Sequence, residues 1–157
     1  MDECNGASRF PSVSLEVILT QTDTTVGFLS QDSQKLYEIK SRVSTKPFLK
    51  VYGSFRLFLS HKNRVPHAMK SQVRRSKKTT YIVKNRAFRV ARVPLASSVL
   101  RKNDWCFSTS ANESGKHFDR EFCEAKADVV IEGAERLCER DSSKLIKLSH
   151  TKKKRLR

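Results

Sequence analysis

Apolar and polar residues alternate along this chain in a way that predicts short strands interleaved with short helices. Val13–Leu19 alternates apolar with polar side chains, and Thr79–Lys84 and Ala87–Val93 are predicted to form a hairpin across Asn85-Arg86. The other predicted strands are Phe48–Tyr52, Ser54–Leu59, Trp105–Phe107, Asp128–Ile131 and Leu145–Leu148.

Capping residues and prolines predict the helices. Asp32 or Ser33 caps a helix that runs through Ser41, and Asp119–Lys126 forms another. Pro66 begins a helix that reaches Arg75, and Pro94 opens one that carries Leu95, Val99 and Leu100. The interleaving predicts a single α/β domain over 1–157 with a mixed, twisted sheet, a loose segment 1–11 and a basic tail 151–157 that is mobile at its end.

Length and composition are those of a folded domain. The 157 residues are 38% hydrophobic and include nine Phe, which is enough apolar material for a core. Intrinsic disorder is therefore excluded as the state of the whole chain.

The charge is strongly and unevenly positive. The formal net charge is +16, and no acidic residue lies between Glu38 and Asp104. Such a surface indicates an anionic partner: RNA, DNA or a smaller phosphorylated ligand. Solvated lysines on an ordinary basic protein are the alternative.

No membrane role and no structural metal site are predicted. No apolar run approaches the ~20 residues of a spanning helix, and the N-terminus has no signal-peptide pattern. The four cysteines are widely spaced, without a paired zinc-ligand motif, and the histidines show no metalloprotease spacing. We expect reduced thiols and a cytoplasmic protein.

The segment Phe107–Gly115 is the strongest candidate for chemistry. It places four hydroxyl side chains, one carboxamide and two small residues after an apolar run. Ser108, Ser110 and Asn112 would alternate outward, and small residues allow a ligand to approach the backbone. A polar ligand such as a nucleotide fits this pattern, and an ordinary Ser/Asn turn between strand and helix is the alternative.

Six motifs in order resemble the YrdC-like family of threonylcarbamoyl-AMP synthases. Its members carry a PTET-like turn, KxRP with a PL pair, a GPxT strand, an AxRxP strand, an SxNxSG turn and a late ST element. The matching segments here are Gln21–Thr24, Lys40–Phe48, Lys77–Thr80, Val90–Pro94, Ser110–Gly115 and Ser142–Ser143.

The resemblance implies a YrdC-like twisted sheet flanked by helices, with a basic concave ligand cleft. It also implies an enzyme that joins L-threonine, bicarbonate or CO2, and ATP into threonylcarbamoyl-AMP and releases pyrophosphate. Another protein then transfers the threonylcarbamoyl group to adenosine 37 of tRNA. Mg²⁺ held largely by the nucleotide, and contact with tRNA and its threonylcarbamoyl-transferase proteins, are further implications.

The resemblance also implies residue roles. The ATP side would comprise Lys40, Arg42, Lys46, Thr80, Ser110, Asn112 and Arg157. The threonine side would comprise Thr22, Thr24, Lys84, Ser108 and Ser143, with no protein nucleophile and no protein-bound metal. Lys84 takes the place of an arginine, which keeps the charge but loses the bidentate geometry.

The chain departs from the family pattern at several positions. Gln21 and Val43 stand where prolines are usual, and Ser76-Lys77-Lys78 replaces Pro-Gly-Pro ahead of Thr80. Three hypotheses therefore stay open: a minimal synthase, a non-catalytic YrdC-like module that binds RNA through Ile39–Asn103, and a structural or ribosome-associated basic protein. A membrane partner is expected for none of them.

Overall fold

The computed structural model describes residues 16–41, 47–91, 99–100 and 103–157. Several predictions lie outside these residues: the loose segment 1–11, the first part of the strand Val13–Leu19, the roles of Arg42 and Lys46, and the start of the helix at Pro94.

Nine strands of the described chain form one mixed sheet. Its order is β7-β1-β2-β6-β3-β5-β4-β8-β9. β6 lies near the centre, antiparallel to both β2 and β3, while β3–β5, β4–β8 and β1–β7 pair in parallel. The strands are β1 Ile18–Gln21, β2 Val26–Ser30, β3 Leu49–Tyr52, β4 Thr79–Val83, β5 Arg86–Val90, β6 Trp105–Ser110, β7 Val129–Ile131, β8 Lys144–Leu148 and β9 Lys153–Arg155.

The described helices confirm most of the capping predictions. α1 has Asp32 as its N-cap, whose side chain accepts hydrogen bonds from the Gln34 and Lys35 amides. A 3-10 turn leads into α3 after Pro66, and Asp119 caps α4. The bounds are α1 Ser33–Lys40, α2 Phe55–Ser60, the 3-10 turn His67–Met69, α3 Lys70–Arg75 and α4 Arg120–Lys126.

The strand predicted at Ser54–Leu59 is wrong, because this segment is the helix α2. The Ser54 hydroxyl accepts a hydrogen bond from the Leu57 amide at 3.1 Å, so Ser54 is an N-cap. Phe55 and Phe58, three residues apart, share the buried face of the helix.

The basic tail 151–157 contains a strand that the sequence did not predict. Residues Lys153–Arg155 form β9, which pairs with β8 in antiparallel register. The hairpin β4–β5 turns at Lys84-Asn85 rather than Asn85-Arg86, and both turn residues have positive φ (48° and 61°). This two-residue turn matches the right-handed twist of the paired strands.

Different elements pack against the two faces of the sheet. The helical face, on the side of Phe88 and Phe107, packs α1 and α4 at one end and α2 and α3 at the other. The cleft face, on the side of Arg89 and Ser108, is covered partly by the helical residues Val99 and Leu100. Within the described residues, no helix is long and apolar enough to cross a membrane.

Candidate functional site

A cleft of about 550 Å³ opens on the cleft face of the sheet. Its charged lining residues in the described chain are both arginines, Arg89 and Arg157, and no described carboxylate lines it. Serine and threonine residues dominate the remaining wall: Thr22, Thr24, Thr25, Thr80, Ser108, Thr109, Ser110, Ser142 and Ser143. This mixture of cations and neutral donors suits an anionic, highly polar ligand.

Backbone alternation explains why these hydroxyls meet. Ser108 and Ser110 lie two apart on β6, so both point to the cleft face, and Leu49 of β3 pairs opposite Ser108. Thr80 of β4 points the same way and pairs with Leu145 of β8. Gly27 of β2 keeps the wall open, since an added Cβ would lie 2.9 Å from the Thr109 carbonyl oxygen.

Arg89 is the buried cation of the cleft. Its Nη1 lies 3.2 Å from Asp23 Oδ1, with both side chains 5% exposed, and donates a hydrogen bond to Thr24 Oγ1 at 2.6 Å. Burial lowers the pKa of Arg89, and the Asp23 carboxylate opposes that shift. Arg89 Nε and Asp23 Oδ2 are buried without a hydrogen-bond partner. Unsatisfied buried polar atoms are rare, so this pair has capacity left for a ligand or water.

Four hydroxyls predicted for the site, three on the threonine side and Thr80 on the ATP side, are held in fixed orientations. Thr22 Oγ1 donates to the Thr25 carbonyl at 2.6 Å and lies 3.3 Å from Thr24 Oγ1. Across the cleft, Thr80 Oγ1 and Ser143 Oγ share a hydrogen bond at 2.8 Å. Each hydroxyl keeps further donor or acceptor capacity for a ligand.

Lys40 and Asn112 stand behind the cleft rather than in its wall. Lys40 is 6% exposed, and its ammonium donates to the Ser110 and Asn112 carbonyls at 2.9 and 2.6 Å and to Asn112 Oδ1 at 2.6 Å. Ser110 Oγ also donates to Asn112 Oδ1 at 2.7 Å. Lys40 therefore fixes the end of β6, which positions Ser110 at the cleft.

The cleft brings together seven of the twelve residues predicted for the site: Thr22, Thr24, Thr80, Ser108, Ser110, Ser143 and Arg157. Arg157 Nε donates to the Ser143 carbonyl at 3.3 Å. Lys84 does not line the cleft, because the hairpin turn places it, exposed, elsewhere. Arg42 and Lys46 lie outside the described residues.

Arg89 and Asp23 are the residues that site prediction missed. An arginine within the apolar strand β5 requires an anionic partner, and that is the signal in the sequence. Asp23 lies in the turn Gln21–Thr24, but nothing local indicates that it faces a residue 66 positions later.

Gln21, which stands where the resembled family has proline, has a structural role here. Its Oε1 accepts a hydrogen bond from the Cys138 amide at 3.0 Å. The Val26 amide also donates a hydrogen bond to the Cys138 carbonyl. Two hydrogen bonds therefore join Cys138 to β1 and β2. Gln21 thus supplies a side-chain hydrogen bond at a position where proline would restrict the backbone.

Comparison with known proteins gives matches by structure alone. No protein-family model matches the sequence, and no curated protein matches it.

Two structures of Sua5 from P. abyssi superpose with TM-scores of 0.74 and 0.72 at 18% and 17% identity; the second is complexed with L-threonine. They cover 90% of this chain and 52% and 50% of Sua5, so the chain spans about half the length of Sua5. E. coli YciO superposes with a TM-score of 0.70 at 19% identity, over 90% of this chain and 82% of YciO. HypF, in its phosphate- and nucleotide-bound form, superposes with a TM-score of 0.70 at 14% identity, over 90% of this chain and 26% of HypF.

These likenesses define the class of fold. The chain has a single-domain α/β fold of the YrdC type, with a mixed nine-stranded sheet, shared with Sua5 and YciO. The fold predicted from the ordered motifs is therefore confirmed. Activity has to be argued from the cleft.

Proposed function

We propose that this chain makes threonylcarbamoyl-AMP from L-threonine, bicarbonate or CO2, and ATP, for threonylcarbamoylation of adenosine 37 in tRNA. The observation that carries the proposal is the convergence in one cleft of hydroxyl residues and two arginines from segments far apart in the chain. The L-threonine complex of Sua5, which shares the fold, supports the same choice of amino acid.

The chemistry proposed for the cleft needs positioned reactants rather than a protein nucleophile. The threonine amine attacks CO2 or bicarbonate and forms a carbamate, with loss of water from bicarbonate. A carbamate oxygen then attacks the α-phosphorus of ATP, and pyrophosphate leaves. Both steps gather anionic reactants, so orientation and charge neutralisation supply most of the catalysis.

In this proposal Arg89 binds the amino-acid substrate. Its unpartnered Nε suits the threonine carboxylate, and the neighbouring Thr24 hydroxyl is already oriented by Arg89. Thr22 and Ser108 lie in the same wall and offer hydroxyl contacts to the zwitterion. Arg89 thereby replaces Lys84 as the cation for the carboxylate.

Thr80, Ser110 and Arg157 form the nucleotide end, and Ser143, which the resemblance put on the threonine side, joins them in this proposal because it hydrogen-bonds Thr80. The Arg157 guanidinium supplies positive charge for phosphate oxygens, and the three hydroxyls supply neutral donors. Lys40 acts as a positioning residue through Ser110 and Asn112. Arg42 and Lys46 remain predicted contacts of the triphosphate.

Mg²⁺ would be held through the triphosphate. The part of the chain that the structure describes brings together no group of three Asp, Glu, His or Cys side chains that would hold the ion by itself. When bound, the ion would neutralise phosphate charge. The residues of this chain then act on the nucleotide through hydroxyls and arginines.

The direct test is ATP-dependent pyrophosphate release with bicarbonate, with and without L-threonine. We expect release only when all three reactants are present. Pyrophosphate release that does not depend on threonine would refute the proposal. The absence of both pyrophosphate release and ATP binding would refute it too.

A matched pair of variants locates the activity. Thr80→Val removes the hydroxyl that pairs with Ser143 in the cleft, whereas Thr79→Val alters the neighbouring buried threonine, whose hydroxyl bonds the Lys77 carbonyl on the other face. We expect turnover to fall at least tenfold in Thr80→Val and to change less than threefold in Thr79→Val. Equal losses would mean that the cleft hydroxyl has no catalytic part.

A non-catalytic RNA-binding module is the second candidate function. The specific observation in its favour is the acid-free stretch between Glu38 and Asp104, within a net charge of +16. RNA affinity that persists in Thr80→Val, in a protein without threonine-dependent pyrophosphate release, would support it.

A further inference from the structure

A groove on the helical face of the sheet lies on the opposite side from the cleft. It consists of two adjoining cavities of about 370 and 400 Å³, which share Asn63, Arg86 and Phe88. Lys50 and Arg86 stand on the strand positions that point away from the cleft face, opposite Phe107 and Val83 in the strand register. The first cavity meets the cleft only at Pro47, Phe48 and Ala87.

All charged residues that line the groove are cationic. They are Lys50, Lys62, Arg64, Lys84 and Arg86, and no described Asp or Glu lines either cavity. None of these five takes part in an ion pair within 4 Å among the described side chains. Five cations without a counter-charge repel one another, so an anion is the occupant that the groove favours.

Half-buried aromatic rings lie beside the groove. Tyr52, Phe58 and Phe88 line it but are at most 5% exposed, so Phe107 and the neighbouring Trp105 provide the ring surface open to a ligand. The Lys50 ammonium lies 3.9 Å from the centroid of the Trp105 ring and 5.3 Å from that of Phe107, which is half-buried. Burial, together with the nearby Arg86, lowers the pKa of Lys50. The ammonium thus covers aromatic surface that a stacked base could take over.

Two of the cations occupy unusual backbone positions. Lys62 has φ 58° and Lys84 has φ 48°, in the left-handed region where Gly and Asn are preferred. Both residues face the second cavity. A lysine in such a position costs conformational energy that Asn or Gly would avoid, which points to a use for the side chain.

We propose that this groove binds single-stranded RNA, with bases stacked on Phe107 and Trp105 and phosphates on its five cations. Aromatic platforms combined with a basic channel are the features by which proteins hold single strands with little sequence preference. Asn85, which lines the first cavity at the hairpin turn, adds an amide group for base edges. Most of the groove faces away from the cleft, and only Pro47, Phe48 and Ala87 line both, so we expect RNA binding that requires neither ATP nor the proposed synthase activity.

The test is a titration of the full chain with a uridine octamer. It measures the fluorescence emission of Trp105, the one tryptophan of the sequence. Bound bases displace Lys50 or stack nearby, so we expect quenching of the tryptophan emission. The affinity should fall with salt, and saturating ATP should leave the titration unchanged. Displacement by ATP would mean that the octamer occupies the cleft, and would overturn the proposal.

The discriminating variant is Lys62→Asn/Lys84→Asn. Asn tolerates the positive φ of both positions, so the fold is retained while two charges are removed. We expect affinity to fall roughly tenfold or more at 0.1 M salt and the salt slope to shrink by about 1.4, since each lost contact removes about 0.7. The control Lys152→Gln/Lys154→Gln removes the same charge from the exposed β8–β9 edge and should change affinity less than threefold.

Three results would refute the assignment. The first is an equal loss of RNA affinity in the two double variants. The second is tighter binding of a matched RNA duplex without quenching of the tryptophan emission. The third is equal quenching of that emission by an octamer of glutamate. The first two indicate a general basic surface, and the third indicates an acidic peptide as the ligand.

Discussion

The buried pair of Asp23 and Arg89 makes a quantitative prediction about stability. At 3.2 Å the two charges attract by about 5 kcal/mol for an effective dielectric constant near 20. Asp23→Asn removes that attraction and leaves a guanidinium buried without a counter-charge. Breaking one side of such a pair costs about 3–5 kcal/mol of unfolding free energy.

Urea denaturation followed by circular dichroism measures this change. We expect a lower midpoint with an unchanged slope, and a melting temperature lower by roughly 10 °C for a chain of this size. Glu132→Gln is the control, because Glu132 pairs with Arg120 at 2.7 Å but is exposed. That variant should leave the denaturation midpoint nearly unchanged, because an exposed ion pair contributes little to stability.

A second substitution separates the charge effect from simple loss of packing. In Asp23→Asn/Arg89→Met no unpaired charge remains, so the double variant should be more stable than the sum of the single changes implies. A loss in Asp23→Asn as small as that in Glu132→Gln would refute the argument that Asp23 offsets the burial of Arg89.

Three further measurements test other parts of the structure. Gly27→Ala places a Cβ 2.9 Å from the Thr109 carbonyl oxygen and should cost about 1–3 kcal/mol in urea denaturation; an unchanged midpoint would contradict the close approach. Ser54→Ala removes the N-cap of α2 and should cost about 1 kcal/mol by the same assay, whereas a residue in a strand would show no capping effect. Burial raises the pKa of the Cys106 thiol, so little thiolate forms at pH 8, and iodoacetamide should modify it far more slowly than the half-buried Cys138. Peptide mass spectrometry compares the two sites, and equally fast modification of the native protein would show that Cys106 is accessible.

Local signals in the sequence were sufficient for most elements. Asp32 caps α1 as its side chain and position predict, and the alternating residues of Thr79–Val83 form β4. Phe55-Arg56-Leu57-Phe58-Leu59 is ambiguous, because a short apolar run fits a strand as well as a helix. The Ser54 cap and the packing of Phe55 and Phe58 favour a helix over a strand in this segment.

The site was predictable only as far as ordered motifs reach. They put Thr22, Thr80 and Ser143 into one predicted site, and all three line the cleft, although no local pattern joins them because the cleft depends on sheet order. They also put a cation for threonine at Lys84, which does not line the cleft, whereas Arg89 does. The hairpin turn takes Lys84 away from the cleft, and the alternation of β5 turns Arg89 toward it.

The central place of β6 has a consequence for folding during synthesis. β1 and β2 are complete by residue 30, and β3, β4 and β5 by residue 90, but among the strands of the described residues only β6 joins these two groups. Until Trp105–Ser110 has left the ribosome, β2 and β3 each present an unpaired edge, which is a template for aggregation. A nascent chain that stalls before residue 105 would therefore need a chaperone.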